Sequence, residues 1–221
     1  MNQRVQGPFL TAALPGSFFA FRDFSQTLMN KTTIRRQMRQ KRRSLSAIQQ
    51  KQASILLARQ IERHHLRFQK RWALYFANDG EISPAIWLKK VSDRNHAVYL
   101  PVLHPIHHNR LWFLKLDANT RLRKNKYGIF EPDPRTTSRT PAWALNVICF
   151  PLVAFDTTGN RLGMGGGYYD RTFAPIRTRI KKPKLVGLAH DFQQVEELPS
   201  EPWDIALHGV ATDRAFYRFA R

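Results

Sequence analysis

Ile34 and Met38 stand four residues apart in an otherwise polar and basic segment, K-T-T-I-R-R-Q-M-R-Q-K-R-R from Lys31. That spacing predicts a short helix with one apolar stripe, opened by Thr32 or Thr33 as N-cap. Ser46 precedes Gln49 by three residues, the spacing of a capping box, and Ile48, Ile55, Leu56, Leu57, Ala58 and Ile61 predict a second, longer helix to about residue 65. Residues 72–76 are short and apolar and run into Asn78, Asp79 and Gly80, the punctuation that closes a strand. Ser83 and Pro84 form an N-cap and first-turn pair for a helix through Val91, and residues 97–100 are apolar again. Strand, helix and strand in that order imply a parallel βαβ unit. Further strands are predicted at 111–116, 147–150, 185–189 and 209–211. The fold class is therefore α/β: a single domain with a mixed, mostly parallel sheet flanked by helices, Rossmann-like in its layering.

The composition supports a packed domain. Of 221 residues, 43% are apolar, enough for a proper core, and no run of about 18 uncharged apolar residues offers a membrane span. The single cysteine, Cys149, cannot close an internal disulfide, and no Cys/His spacing suits zinc, so a reducing, cytoplasmic setting is expected. Residues 1–28 differ from the rest: Phe9, Phe18, Phe19, Phe21 and Phe24 are scattered among Pro8, Pro15, Gly7 and Gly16 without a helical or strand period. Pro15 and Gly16 interrupt any signal-peptide apolar run, and Met29 stands just before the first helix, so 1–28 is expected to be a disordered extension or the product of too early a start codon. Residues 131–141 and 177–184 read as surface loops.

Charge changes the picture more. Thirty-six Lys and Arg against 16 Asp and Glu leave +20, a field that attracts polyanions without choosing among nucleic acid, anionic lipid, nucleotides or polyglutamate. The choice narrows at residues 161–170, R-L-G-M-G-G-G-Y-Y-D, where four of eleven glycines fall within five positions. Glycine there lets backbone approach a ligand closely, and a helix beginning near Tyr168 would favour an anion. The loop matches neither the P-loop nor the dinucleotide fingerprint. Arg161 offers a fork for a phosphoryl group, Asp170 a magnesium ligand, and Tyr168 and Tyr169 flat faces, all within ten residues.

P-L-V-A-F-D from Pro151 and R-L-G-M-G-G-G-Y-Y-D-R to Arg171 closely resemble the signature of the 5-formyltetrahydrofolate cyclo-ligase (methenyltetrahydrofolate synthetase) family. The likeness extends to Lys31 and Arg35, D-G-E-I from Asp79, Y-L-P-V-L-H-P from Tyr99, Y-G-I-F-E-P from Tyr127 and P-W-D-I-A-L from Pro202. The resemblance implies magnesium- and ATP-dependent closure of 5-formyltetrahydrofolate to 5,10-methenyltetrahydrofolate, with release of ADP and phosphate. It implies ATP binding by Lys31, Thr32, Thr33, Ile34 and Arg35 and by Arg161, Leu162, Gly163, Met164, Gly165, Gly166, Gly167, Tyr168 and Tyr169, with Arg161, Lys31 and Arg35 catalytic. Folate would meet Phe76, Glu81, Met164, the glycines and Tyr168, and Mg2+ would sit on Asp170 and Asp204. The domain would span 29–221 as a monomer, with folate and ATP as partners and no membrane.

Simpler roles compete at several positions. Glu81 could cap the helix near Ser83, Phe76 could be ordinary core, and Asp204 could be a surface acid. His104, His107 and His108 lie in a Pro-punctuated loop without a neighbouring carboxylate and read as exposed, and Cys149 reads as core. The runner-up function is RNA binding through the basic runs 35–43, 121–126 and 177–184, although no RNA-binding signature accompanies them. A third reading keeps the fold and places another vitamin-like substrate in the site, and the excess charge is expected to attract anionic, polyglutamylated folate.

Overall fold

A computed structural model describes residues 30–176, 178–201, 204–205 and 207–219. The expected extension 1–28 lies outside the described residues, as do Arg177 of the third basic run and Pro202, Trp203 and Ala206 of the last motif. Two helices lead. Helix α1 (Lys31–Arg43) is capped by Asn30, whose side chain accepts from the Thr32 N–H at 2.9 Å, so Thr32 and Thr33 lie inside the first turn instead of capping it. Helix α2 (Ala47–Arg63) carries the predicted capping box: the Gln49 N–H donates to Ser46 Oγ at 3.3 Å, and the Ser46 N–H to Gln49 Oε1 at 2.8 Å. Its buried stripe is Ala53, Leu57, Ala58 and Ile61, and Ile48, expected within the stripe, faces solvent. Helix α3 (Ala85–Asp93) starts one residue later than expected, with Pro84 at the cap position and Ser83 Oγ accepting from the Ala85 N–H at 3.3 Å.

The central sheet has eight strands among the described residues: β1 (Arg71–Ala73), β2 (Ala97–Leu103), β3 (Leu111–Leu116), β4 (Arg139–Thr140), β5 (Val147–Pro151), β6 (Lys184–Leu188), β7 (Gly209–Ala211) and β8 (Phe216–Arg218). They lie in the order β8-β7-β6-β5-β1-β2-β3-β4. The five strands from β7 to β2 run parallel, and β8, β3 and β4 pair antiparallel at the two edges. The predicted βαβ unit is β1-α3-β2, with Trp72 paired to Val98. β1 is shorter than the apolar run suggests: the Leu74 N–H still donates to the Tyr99 carbonyl of β2 at 2.9 Å, and Tyr75 and Phe76 then leave the ladder toward a loop. Residues 131–141 are more than a surface loop: Glu131 and Asp133 are buried, and Arg139–Thr140 forms the edge strand.

Alternation along β5 sorts the core into two layers. Val147 and Cys149 join Trp72, Val98, Val186 and Leu188 under α2 and α3, where the Trp72 and Trp87 rings meet edge to face at 5.2 Å. Ile148 and Phe150 point the other way, onto Phe155, Leu185, Val210 and Phe173 of α4 (Tyr168–Phe173). Such two-sided burial is what a parallel sheet requires, and it explains why these strands read as continuous apolar runs. Helix α1 packs separately, through Ile34 and Met38 on Val153, Ala154, Leu162 and Leu198. The chain proceeds from β1 to β2 on one side and from β5 to β6 and β7 on the other, so the order reverses between β1 and β5. In open α/β sheets, ligands bind outside the carboxyl ends of the strands at such a reversal.

Candidate active site

Beyond the ends of β1 and β5 lie two adjoining cavities of about 430 and about 640 Å³. Their common wall is formed by Glu81, Pro151, Met164, Gly166, Tyr168 and Tyr169. Cations and glycines line the smaller one: Lys31 and Arg35 from α1, Arg161, the 163–167 loop and Arg171. Its acids are Asp170, Glu201, Asp204 and the shared Glu81. The larger cavity has an aromatic and aliphatic wall of Phe76, Tyr127, Phe130, Leu100 and Leu103 and a charged one of Arg39, Arg43 and Asp79, and it too reaches Glu81.

The glycine loop is positioned from both ends. A two-stranded ribbon, Ala154–Phe155 against Arg161–Leu162, delivers the chain to Gly163, and its turn is held by Asp156, which accepts the Thr158 and Asn160 N–H groups at 3.0 and 2.9 Å. Gly165 and Gly167 have φ of +94° and +64°, values that favour glycine. Arg35 Nε donates to the Gly163 carbonyl at 2.9 Å, and Arg171 Nη1 to the Gly166 carbonyl at 2.8 Å. Two guanidiniums thus hold the loop while facing the cavity. Arg161 is nearly buried, its side chain 7% exposed. It pairs with Asp170 Oδ1, donates to the Ile205 carbonyl and lies 5.4 Å from the Phe150 ring centre. Lys31 lies 3.8 Å from Glu201 across the opening.

Glu81 owes its place to the loop that follows β1. Asp79 and Gly80 both take left-handed backbone, φ 51° and 72°. Burial pushes the Glu81 carboxyl up to about 7, against the pull of the Asn78 N–H, which donates to Oε2 at 3.1 Å, and of the Arg42 charge. At neutral pH this group is divided between its two protonation states, in the wall between the cavities. Tyr168 hydrogen-bonds Tyr127 hydroxyl to hydroxyl at 2.8 Å, closing the aromatic cavity on the glycine-loop side.

Among the described residues no group of three or more His, Cys, Asp or Glu is placed to hold a metal. The histidine loop follows suit: His104 Nδ1 accepts the Ile106 and His107 N–H groups at 3.1 and 2.8 Å, organising a turn. Asp170 and Asp204 nonetheless line one cavity, and their protein hydrogen bonds use Oδ1 of Asp170 and Oδ2 of Asp204. Among the described residues one oxygen of each carboxylate accepts no hydrogen bond, a donor set that fits Mg2+, which binds one or two carboxylates and takes its remaining ligands from water and phosphate.

The predicted residues that line a cavity are therefore Lys31, Arg35, Phe76, Glu81, Asp170, Asp204 and the segment 161–169. Thr32, Thr33 and Ile34 do not: Thr32 is exposed and Ile34 is buried in the α1 core, the consequence of a helix turning those positions away from Lys31 and Arg35. Arg42 was not expected. It is 1% exposed and lines the smaller cavity, and the signal was its spacing, since Ile34, Met38 and Arg42 fall at i, i+4 and i+8 on one buried stripe. Tyr127, Phe130 and Glu131 also line the larger cavity, and all three lie inside the Y-G-I-F-E-P motif.

The family profile for the 5-formyltetrahydrofolate cyclo-ligase family matches residues 27–213. The 5-formyltetrahydrofolate cyclo-ligase of Haemophilus influenzae is 42% identical over 182 residues, 80% of this chain and 94% of the relative. That of Escherichia coli is 39% identical over 176 residues, 79% and 96%. Among solved structures, the NMR structure of Aquifex aeolicus 5,10-methenyltetrahydrofolate synthetase superimposes with a TM-score of 0.74 at 27% identity, covering 87% of this chain and 94% of that one.

Proposed function

The chain belongs to the 5-formyltetrahydrofolate cyclo-ligase family and is an enzyme of that kind, and from this premise we propose that the smaller cavity receives the phosphates of magnesium ATP while the larger receives 5-formyltetrahydrofolate. The observation that carries the reading is the common wall: a cationic, glycine-lined cavity and an aromatic one meet at Glu81, Met164, Gly166 and Tyr168, so groups bound in each would face one another.

The chemistry follows from what the formyl group lacks. It is an amide on N5, and its oxygen is a poor leaving group. Transfer of the γ-phosphoryl group to that oxygen makes it a good one. N10 then attacks the formyl carbon and gives up its proton, the carbon–oxygen bond breaks, and phosphate leaves with that oxygen, giving the 5,10-methenyl bridge and ADP. Such a reaction asks a protein mainly to position two ligands and neutralise charge. Lys31 and Arg35, one turn apart on α1, would meet the phosphates, and Arg161 with the loop amides would stabilise charge on the transferring group. Asp170 and Asp204 would hold Mg2+, which when bound screens the phosphate charge. Arg161 would exchange its bond to Asp170 for one to phosphate, keeping its place over Phe150. Glu81 would accept hydrogen bonds from the amino-pyrimidine edge of the pterin, and Phe76 and Tyr168 would pack on its flat parts.

The RNA-binding reading is the weaker one, because much of the first basic run has partners within the protein: Arg35 holds the glycine loop and Arg39, Arg42 and Arg43 bond Asp79, while Arg36 and Lys41 face solvent. In the second, Arg123 pairs with the buried Glu131 at 3.2 Å. The mechanism is tested by labelling the formyl oxygen with 18O. Recovery of the label in inorganic phosphate is expected, and its appearance in water would refute phosphorylation of that oxygen.

A further inference from the structure

Asp79 lines the larger cavity beside Glu81, with Arg39 and Arg43, and both of its carboxylate oxygens are bonded to arginines of one helix. Its Oδ2 accepts from Arg39 Nε at 2.7 Å and from Arg42 Nη2 at 3.0 Å, and its Oδ1 from Arg43. All three donors belong to α1. The next residue is held from two other directions, for the Gly80 carbonyl accepts from Gln50 Nε2 of α2 at 3.1 Å and lies 3.2 Å from His190 Nε2. A Cβ on Gly80 would lie 2.8 Å from the Arg42 backbone, so the loop sits directly on the helix. Glu81 follows at once, its Oε2 tied back to the Asn78 N–H.

Two local costs meet where this loop rests on α1. Asp79 is a non-glycine residue in left-handed backbone, and the buried Arg42 has an Nε without a hydrogen-bond partner among the described residues. Folds concentrate such violations where geometry serves function. The helix that absorbs them also carries Lys31 and Arg35, so one rigid element, about 20 Å long for 13 residues, spans the phosphate-side cavity and the Glu81 loop.

We propose that Asp79 is a positioning residue for folate recognition: through its clasp with Arg39, Arg42 and Arg43 it fixes Glu81 in the wall of the larger cavity. The proposal rests on the reading of Glu81 as the pterin contact. It differs from a purely stabilising role, because a clasp that acts through Glu81 has nothing to act on once Glu81 is changed.

The test is a double-mutant cycle on the full chain, Asp79→Asn and Glu81→Gln singly and together, reading kcat and both KM values. Asparagine tolerates the left-handed backbone and keeps the side-chain shape while removing its charge. Asp79→Asn is expected to raise the folate KM about tenfold and to leave the ATP KM within about twofold, and in the Glu81→Gln background to add less than about twofold. Arg43→Gln, at a more exposed member of the clasp, should give a smaller effect in the same direction and serves if Asp79→Asn folds poorly. An additive cycle, or equal losses for both substrates, overturns the proposal and leaves Glu81 as the pterin contact. A Glu81→Gln enzyme with unchanged folate KM overturns both.

Discussion

Glu81→Gln separates the cost of a functional carboxylate from its use. In an unfolded chain this carboxyl titrates near 4.5, and in the folded protein burial raises it to about 7. The folded state therefore holds a proton that the unfolded state releases between those two values, so stability falls as pH rises through that window. At 1.36 kcal/mol for each tenfold change in the proton equilibrium, the interval from 4.5 to about 7 amounts to about 3 kcal/mol as an upper bound. Glutamine has no such proton to lose, and its amide oxygen can still accept the Asn78 N–H. Every other titrating group is common to both proteins and cancels in their difference. Urea unfolding of the two proteins without substrates should therefore show nearly equal stability at about pH 4 and a glutamine variant more stable by about 2–3 kcal/mol at about pH 8. The variant should meanwhile lose folate affinity far more than ATP affinity. A stability difference that does not grow with pH, or a variant less stable at about pH 8, would refute the argument that Glu81 is held at the expense of its own ionisation.

Other consequences are equally direct. Arg161→Ala should lower kcat by at least about a hundredfold with the fold intact by circular dichroism, as removal of a donor to developing charge does; near-normal turnover would remove Arg161 from the reaction. Gly80→Ala should cost at least about 1–2 kcal/mol from the left-handed backbone alone, with more from the 2.8 Å approach to Arg42, and denaturant melts read it. Cys149 is 2% exposed and burial raises its thiol well above the usual range, so a disulfide reagent should leave it unmodified in the native protein and titrate it fully in denaturant.

Much of the architecture was legible in local pattern. The capping box at Ser46 and Gln49 marked the start of α2 to the residue, and the apolar runs of β3 and β5 marked strands because the core imposes its periods on them. What local pattern missed was decided by individual contacts, some between near neighbours and some far apart in the chain. Asn30 displaced two threonines as the α1 cap by one hydrogen bond, and β1 stopped at Ala73 because the next residues turn toward the site. The basic helix was the most ambiguous segment in the chain, and its charge acquires meaning only when Asp79, about forty positions away, comes to rest against it. Glu81 shows the same limit. Within D-G-E-I it could be a helix cap or the folate contact that the family resemblance implies, and its position between two cavities supports the second.

The central claim, that two adjoining cavities bring a nucleotide phosphate and a formylated folate together, is tested most directly by following the absorbance of the methenyl product with purified protein, 5-formyltetrahydrofolate and magnesium ATP, and repeating the assay without ATP. Product that forms only with ATP, together with an equal release of ADP, is the predicted result. Product at the same rate without ATP, or none from folded protein that binds both substrates, would contradict the account.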